Sequence, residues 1–225
     1  MEFWTASDKN LGDLEHAIQE SGVEVTAFVT EPRARLVDPT THDEFIAGVN
    51  RSSRLAARLN ARNLIVVSGD ELPGAARVDQ RNAIAEALRR AAPIAAEAGI
   101  RLVLEPLNTI VDHNGYFLDT TSEALEIIRL VDHPAVRLLY DMYHSVMMGE
   151  DLAEVLTGSG HLVGHVHIAD VPGRHEPGSG TIDWSKNLMS LRAIGYEGPL
   201  GLEFMPIRDT ESSLANIQRL DRESE

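Results

Sequence analysis

Four polar side chains end apolar segments of the sequence, and their types suit the chemistry of a divalent metal. A carboxylate at the end of an apolar run is costly to bury unless it meets a cation or hydrogen-bond donors. Three carboxylates and one imidazole are typical ligands of Mg²⁺, Mn²⁺ or Co²⁺, and Zn²⁺ also accepts them. The sequence therefore predicts one divalent metal ion, and its predicted ligands are Glu105, Asp141, His167 and Glu203.

A metal held by these residues predicts a type of reaction. It would bind neighbouring carbonyl and hydroxyl oxygens of a sugar or keto acid and polarise them as a Lewis acid. The adjacent C–H bond then becomes acidic enough for a glutamate to remove its proton. We predict that Glu105 and Glu203 act as acid and base around an enediolate, which makes the protein an isomerase. The chain contains no cysteine, and this chemistry needs none.

Each of these residues also has a structural interpretation. Glu105 or Glu203 could form a buried ion pair with an arginine, and Asp141 could cap a helix. His165 and His167 share one face of a strand, because strand side chains alternate. His167 lies nearer the carboxyl end and is the predicted ligand, while His165 is expected to fill the layer beneath it.

Short runs rich in Val, Ile and Leu alternate with longer helical stretches, a pattern that predicts parallel strands connected by helices. The predicted strands are Val23–Thr30, Asn63–Ser68, Arg101–Leu107, Val136–Tyr143, Leu162–Ala169 and Pro199–Met205. The predicted helices are Leu11–Ser21, His42–Leu59, Gln80–Ala98, Thr121–Val131, Asp151–Leu156, Trp184–Ile194 and Thr210–Leu220. No glycine-rich dinucleotide fingerprint follows a strand, which disfavours an open doubly wound sheet. In a closed barrel the carboxyl ends of the strands meet at one mouth, so we predict a single α/β TIM-barrel domain over residues 1–225.

The strand count is short of a complete barrel. Six strands and a stub at Glu2–Trp4 compare with the usual eight, so the barrel is expected to lack its first βα unit at the N-terminus. Closure of a barrel hides every strand edge. We therefore expect an open edge beside Pro199–Met205 that exposes Phe3 and Trp4 and favours a homodimer or aggregation.

Composition excludes several classes of partner. The formal net charge of the 225-residue chain is −15, whereas a protein that binds nucleic acid needs a basic surface. No apolar run is long enough to cross a bilayer, and the first residues do not form a secretory signal. The absence of cysteine is compatible with the cytoplasm. We predict a cytoplasmic protein that acts on a small keto acid or sugar, without nucleic-acid or membrane partners.

Longer motifs around the polar residues resemble the hydroxypyruvate isomerase family. They are Leu-Glu-Pro-Leu-Asn (104–108), Tyr-Asp-Met-Tyr-His (140–144), His-Ile-Ala-Asp-Val-Pro-Gly-Arg-His-Glu-Pro-Gly-Ser-Gly (167–180) and Gly-Tyr-Glu-Gly-Pro-Leu-Gly-Leu-Glu-Phe (195–204). The stretch 167–180 is the most specific, and the similarity is dense from Arg101 to Pro206. That family belongs to the xylose-isomerase-like TIM barrels, whose other members include ketose 3-epimerases and endonuclease IV.

The resemblance implies roles for individual residues. It assigns metal ligation to the same four side chains, proton transfer to the two glutamates, and substrate contacts to His144 and Arg174. It implies isomerisation of hydroxypyruvate to tartronate semialdehyde, or of a related short keto acid or ketose. The family often has glutamine where this chain has His167, and histidine at this position is closer to the ketose epimerases. A ketose 3-epimerase with the same metal site is therefore the alternative.

Two further alternatives follow from the superfamily. An endonuclease IV-like nuclease would need extra histidines on early strands, and Val23–Thr30 and Asn63–Ser68 contain none. A shortened barrel could also be non-catalytic. Within the specific loop, His175 and Glu176 are expected at the mouth, and Asp183 is expected to cap the following helix.

Overall fold

Seven parallel strands form one sheet in which neighbours in sequence are neighbours in space. The computed structural model describes residues 1–223, with side chains through residue 220. The strands are β1 (Glu2–Phe3), β2 (Ala27–Val29), β3 (Asn63–Val67), β4 (Arg101–Glu105), β5 (Val136–Asp141), β6 (Val163–Ile168) and β7 (Leu200–Leu202). Every adjacent pair is parallel, and the sheet curls into a nearly closed barrel. The predicted TIM-barrel class is therefore confirmed.

Helices connect the strands and surround the sheet. They are α1 (Leu11–Ser21), α2 (His42–Leu59), α3 (Arg77–Glu97), α4 (Thr121–Val131), α5 (Met142–Met147), α6 (Leu152–Val155), α7 (Trp184–Ala193) and α8 (Thr210–Glu223). Asp183 caps α7 as predicted, since its side chain accepts a hydrogen bond from the Lys186 amide. None of the helices within residues 1–223 is long and apolar enough to cross a membrane.

The predicted strand Val136–Tyr143 was too long, and α5 was not predicted. The strand stops at Asp141, whose carboxylate accepts hydrogen bonds from the amides of Tyr143 and His144 and so starts a helix. A capping carboxylate satisfies amide groups that the first helical turn leaves without partners. The apolar run continues through this change, which is why periodicity alone did not show it.

Alternation along the strands decides which side chains enter the barrel. A small apolar cluster fills its interior beneath the mouth and consists of Ala27, Val29, Ile65, Val103 and Leu139. Glu105 lies two residues after Val103, and Asp141 two residues after Leu139. Because strand side chains two apart share a face, both carboxylates point into the barrel.

The two ends of the sheet are β1 and β7, and no ladder joins them within residues 1–223. Side chains nevertheless meet there, because a Cβ added to Gly201 on β7 would lie 2.9 Å from Oε2 of Glu2 on β1. The expected exposure of Phe3 is wrong, since its ring stacks on Phe28 at 5.0 Å and is buried. Trp4 is 61% exposed, as predicted. A missing βα unit, a single domain over the whole chain and self-association stay predictions.

Candidate active site

The four predicted metal ligands converge at the carboxyl ends of the strands. Their ligand atoms all lie within 4.8 Å of one another. A cation with metal–ligand distances of about 2.0–2.3 Å holds ligands on its opposite sides at most about 4.6 Å apart. The cluster therefore has nearly the size of one coordination sphere, and its members end or follow four successive strands: Glu105, Asp141, His167 and Glu203.

The chemistry of this donor set fits a divalent cation. Glu105 is buried, and its Oε1 atom has no hydrogen-bond partner among the described residues. His167 Nδ1 lies 3.7 Å from that oxygen, beyond hydrogen-bond range. A buried acceptor without a donor is costly, and three carboxylates in one cluster repel one another. A bound cation would remove both costs.

Asp141 combines the predicted ligand position with the alternative helix-cap role. Its Oδ1 atom accepts hydrogen bonds from the amides of Tyr143 at 2.8 Å and His144 at 3.2 Å. Its Oδ2 atom lies 3.4 Å from Arg174 Nη2. Burial, together with the nearby charge of Glu203, raises the pKa of Asp141 to about 6. The cap fixes one oxygen of the carboxylate and leaves the other in the cluster.

Glu203 lies within 3.0 Å of three hydrogen-bonding groups. Its Oε2 atom lies 2.7 Å from Arg174 Nη2 and 3.0 Å from His167 Nδ1, and its Oε1 atom accepts the Trp4 indole N–H at 2.7 Å. Burial opposes ionisation, but the hydrogen bond and charge of His167 with the charge of Arg174 outweigh it and lower the pKa of Glu203 to about 2. Glu203 is therefore ionised near neutral pH.

Both ring nitrogens of His167 face carboxylates. Burial disfavours its charged form, but the hydrogen bonds to Glu2 and Glu203 and the nearby charge of Glu105 outweigh burial and raise the pKa of His167 well above its ordinary value. A cation in the cluster would replace the proton on Nδ1, the nitrogen that faces Glu105 and Glu203.

His144 is held as a neutral donor. The side-chain oxygen of Asn108 accepts the amides of Val111 and Asp112, so the Asn108 NH₂ group points the other way, toward His144 Nδ1 at 2.7 Å. The backbone N–H of Asn108 also donates to Nδ1. Nδ1 is therefore an acceptor, and the ring proton lies on Nε2, which is buried without a partner in the described residues. Burial lowers the pKa of His144 to about 4, so the ring is uncharged at pH 7.

Asp112 and Tyr143 complete the support for His144. Asp112 Oδ2 accepts the Tyr143 hydroxyl at 2.8 Å and the Asn108 NH₂ group at 2.6 Å. The Tyr143 ring also lies 5.2 Å from the Arg174 guanidinium, a cation–π distance. One hydrogen-bonded group thus orients both residues for which the resemblance implies substrate contacts.

The loop after β6 carries Arg174 and is fastened by one buried carboxylate, Asp170. Asp170 is fully buried, and both of its oxygens accept two hydrogen bonds each. The donors are the amides of Val171, Gly178 and Ile182 and the indole N–H of Trp184. Arg174 itself has a positive φ of 56°, which places it at a tight bend of this loop.

His175 and Glu176 contact a different segment from the one expected. His175 Nδ1 lies 2.7 Å from the Met205 carbonyl oxygen, and Glu176 accepts the amide of Ile207 at 2.9 Å. Their side chains therefore attach the loop to the segment after β7 instead of lining the mouth. The reason is the tight bend at Arg174, which turns the following residues away from the cluster of four polar side chains.

A cavity of about 170 Å³ lies above the cluster, and its lining includes Glu105, His144, His167, Arg174 and Glu203. A second cavity of about 390 Å³ on the side of β1 and β7 shares Trp4, His167, Arg174 and Glu203 with it. At about 30 Å³ for each water, the inner cavity holds the volume of five or six waters. That is the size of a short sugar or keto acid.

Sequence reasoning missed several residues of this site. Glu2 could have been recognised as a site residue, because it is a carboxylate in a short apolar strand segment, as Glu105 is. Asn108, Tyr143 and Asp170 lie inside the motifs quoted above, but nothing in the motifs indicated their partners. The role of Asp112 could not be predicted from the sequence, since carboxylates are common in polar loops.

Several known proteins are similar to this chain in sequence. A putative hydroxypyruvate isomerase from Xenopus laevis is 32% identical over 80% of this chain and 68% of its own length. A 2-oxo-tetronate isomerase from Pectobacterium atrosepticum is 27% identical over 89% of this chain and 79% of its own. These named relatives are isomerases, which supports an enzyme of the isomerase or epimerase type.

Solved structures show the same fold. A structure titled AP endonuclease, family 2, from Brucella melitensis has a TM-score of 0.90 and 29% identity, covering 97% of this chain and 86% of that one. A 3-keto-D-glucoside 4-epimerase from E. coli has a TM-score of 0.80 and 27% identity, covering 95% and 84%. The family model described as "Xylose isomerase-like TIM barrel" matches residues 1–220. The chain belongs to the xylose isomerase-like TIM barrel family.

Proposed function

We propose that this protein isomerises hydroxypyruvate or a related short 2-keto acid through an enediolate, with one divalent cation as cofactor. The observation that carries the proposal is the convergence of four ligand atoms within 4.8 Å around a buried, unpartnered oxygen of Glu105. The ligands would be Glu105, Asp141, His167 and Glu203. Mg²⁺, Mn²⁺ and Co²⁺ suit this oxygen-rich set, and Zn²⁺ also accepts it.

The substrate would be held by donors that lack partners within the described structure. His144 Nε2 and Arg174 Nε are both buried without a hydrogen bond, and both residues line the inner cavity. A neutral N–H donor and a guanidinium suit the carbonyl and carboxylate oxygens of a keto acid. This pairing favours a small anionic substrate over a neutral ketose.

The proton transfers would be performed by Glu105 and Glu203, which line the cavity together. One glutamate removes a proton from C3 of hydroxypyruvate, and a proton is returned to C2. The C3 hydroxyl proton moves to the oxygen on C2, so that the hydroxyl and carbonyl groups exchange places and the atoms balance. Glu203 enters the reaction ionised, because its Oε2 atom lies 2.7 Å from the Arg174 guanidinium and a bound cation would also favour its charged form. A bound cation supplies polarisation of the substrate carbonyl.

The second candidate is epimerisation of a ketose with the same residues. In that reaction the proton returns to the carbon it left, on the opposite face. Histidine at position 167 and the similarity to a protein named as a 4-epimerase support this candidate. The two reactions differ in where a solvent proton enters the product, which an experiment can measure.

The nuclease alternative has less support. The net charge is −15, and neither of the two metal-capable clusters among residues 1–223 contains a histidine from the early strands β2 and β3. The intact cluster also disfavours a non-catalytic barrel. Action on a small molecule without nucleic-acid or membrane partners, in the cytoplasm, remains part of the proposal.

The test combines metal analysis with a substrate panel. The purified chain is loaded in turn with Mg²⁺, Mn²⁺, Co²⁺ and Zn²⁺, and its metal content is measured. Turnover of hydroxypyruvate, 2-keto-tetronate and free ketoses is then followed by proton NMR in D₂O. One bound cation and deuterium at C2 of the isomerised keto acid are expected. Deuterium at the original carbon of a ketose would establish the epimerase instead. Binding of no cation by any loading would refute the metal site.

A further inference from the structure

Glu2 joins β1 to the two histidines of β6, which lie more than 160 residues away in sequence. Its Oε1 atom lies 2.7 Å from His165 Nε2, and its Oε2 atom lies 2.8 Å from His167 Nε2. The Glu2 carboxylate accepts a third hydrogen bond from the Thr26 hydroxyl, which lies 2.7 Å from Oε1. Glu2 lies across the gap between the ends of the sheet, and nothing in the proposed reaction uses it.

The two nitrogens of the His167 ring face different groups. Nδ1 faces the ligand cluster, 3.0 Å from Glu203 Oε2, and Nε2 faces Glu2. A neutral imidazole binds a cation through one nitrogen and carries its proton on the other. The Glu2 carboxylate can only accept, so the nitrogen facing it must be the one that keeps the proton.

We propose that Glu2 is a positioning residue that holds the proton of His167 on Nε2 and thereby presents the Nδ1 lone pair to the metal ion. A carboxylate behind a ligating histidine fixes both the tautomer and the orientation of the ring. The inference rests on the proposed metal site and adds a residue outside its ligands.

Packing supports this role of Glu2. A Cβ added to Gly201 would lie 2.5 Å from His167 Cδ2 and 2.9 Å from Glu2 Oε2, so the β7 backbone presses against both groups. The His167 ring is 3% exposed and cannot rotate without moving that backbone or Glu2. The tautomer and the ring orientation are thus set together.

The competing interpretation is a second metal site, because Glu2, His165 and His167 also form a metal-capable group. The contacts favour hydrogen bonding, since Oε1 and Oε2 of Glu2 are already engaged by three donors at 2.7–2.8 Å. In addition, His167 can give its lone pair to only one of the two sites. Metal stoichiometry separates the two interpretations.

The first experiment measures Mn²⁺ affinity by titration calorimetry for the wild-type chain, Glu2→Gln and Glu24→Gln. Glu24→Gln is the matched control, because it removes the same charge from an exposed side chain near β1. Glu2→Gln is expected to weaken binding by about 10–100-fold, the usual effect of losing such a partner. The control is expected to bind like the wild type. Equal affinity of Glu2→Gln and the wild type, or two Mn²⁺ ions per chain, would overturn the inference.

The second experiment needs no variant and so does not depend on the folding of Glu2→Gln. Nitrogen-15 NMR of the histidine rings in the Zn²⁺-loaded wild type reports which nitrogen carries the proton. A protonated Nε2 and a metal-bound Nδ1 on His167 are expected, and the reverse tautomer would refute the role of Glu2. If the wild type binds neither Mn²⁺ nor Zn²⁺, the proposed function fails. If the wild type and Glu2→Gln bind Mn²⁺ with equal affinity, only the role of Glu2 fails.

Discussion

Replacing Asp170 by asparagine is expected to lower the free energy of unfolding by about 2–6 kcal/mol. Oδ1 accepts the amides of Val171 and Ile182, and Oδ2 accepts the amide of Gly178 and the indole of Trp184. Asparagine has one acceptor oxygen, so in either orientation two of the four donors face an NH₂ group. Each buried donor left without an acceptor costs about 1–3 kcal/mol, which gives the range for two.

The assay is urea unfolding at pH 7 in EDTA, which removes any contribution of bound metal. Asp183→Asn is the matched control in the same segment, because Asp183 is exposed and asparagine caps a helix about as well as aspartate. The control is expected to remain within about 0.5 kcal/mol of the wild type. A loss in Asp170→Asn no larger than in the control would refute the reasoning that four donors share this carboxylate.

The same variant tests the link from Asp170 to Arg174. Loosening the loop is expected to disturb the ion pairs of Arg174 with Glu203 and Asp141, which now have N–O distances of 2.7 and 3.4 Å. The KM for the proposed keto-acid substrate should therefore rise in folded Asp170→Asn. An unchanged KM in a destabilised variant would show that the loop is not needed to orient Arg174.

Three further predictions concern the two glutamates of the cluster, the contact between β7 and β1, and Glu31 in the loop after β2. Glu105→Gln and Glu203→Gln should each lower kcat by about 10²–10⁴-fold with an unchanged circular dichroism spectrum, and near-normal turnover would remove that glutamate from the mechanism. Gly201→Ala should weaken Mn²⁺ binding in calorimetry because its Cβ would lie 2.5 Å from the His167 ring, whereas Gly12→Ala, with 3.5 Å of space, should not. Burial raises the pKa of Glu31, but hydrogen bonds from the Ser7 hydroxyl and the amides of Ala6 and Ser7 outweigh it and hold the pKa below 4.5. The stability that ionised Glu31 contributes is present above pH 4.5 and is lost as the pH falls, so the difference in unfolding free energy between wild type and Glu31→Gln should shrink from pH 6 to pH 3. A constant difference over that range would contradict the assignment.

Local sequence determined the order of strands and helices and the side chains that face the barrel mouth. Glu105 and Asp141 end apolar strands, and alternation with period two places them inside together with Val103 and Leu139. The cluster of four polar side chains could be predicted because the carboxyl ends of parallel barrel strands must meet. The roles implied for His144 and Arg174 came from motif resemblance, since no spacing rule pointed to them.

Tertiary structure decided which atoms of those residues face each other. The strand-to-helix change at Asp141 depends on one carboxylate oxygen reaching two amides, and the apolar pattern continues through it. Phe3 is buried because β1 pairs with β2 and its ring stacks on Phe28. Glu2 meets His167 only because the curled sheet brings its two ends together, across 165 residues of sequence. Local pattern sets the face of a strand on which a side chain lies, whereas contacts across the barrel depend on the curvature of the whole sheet, which no short segment encodes.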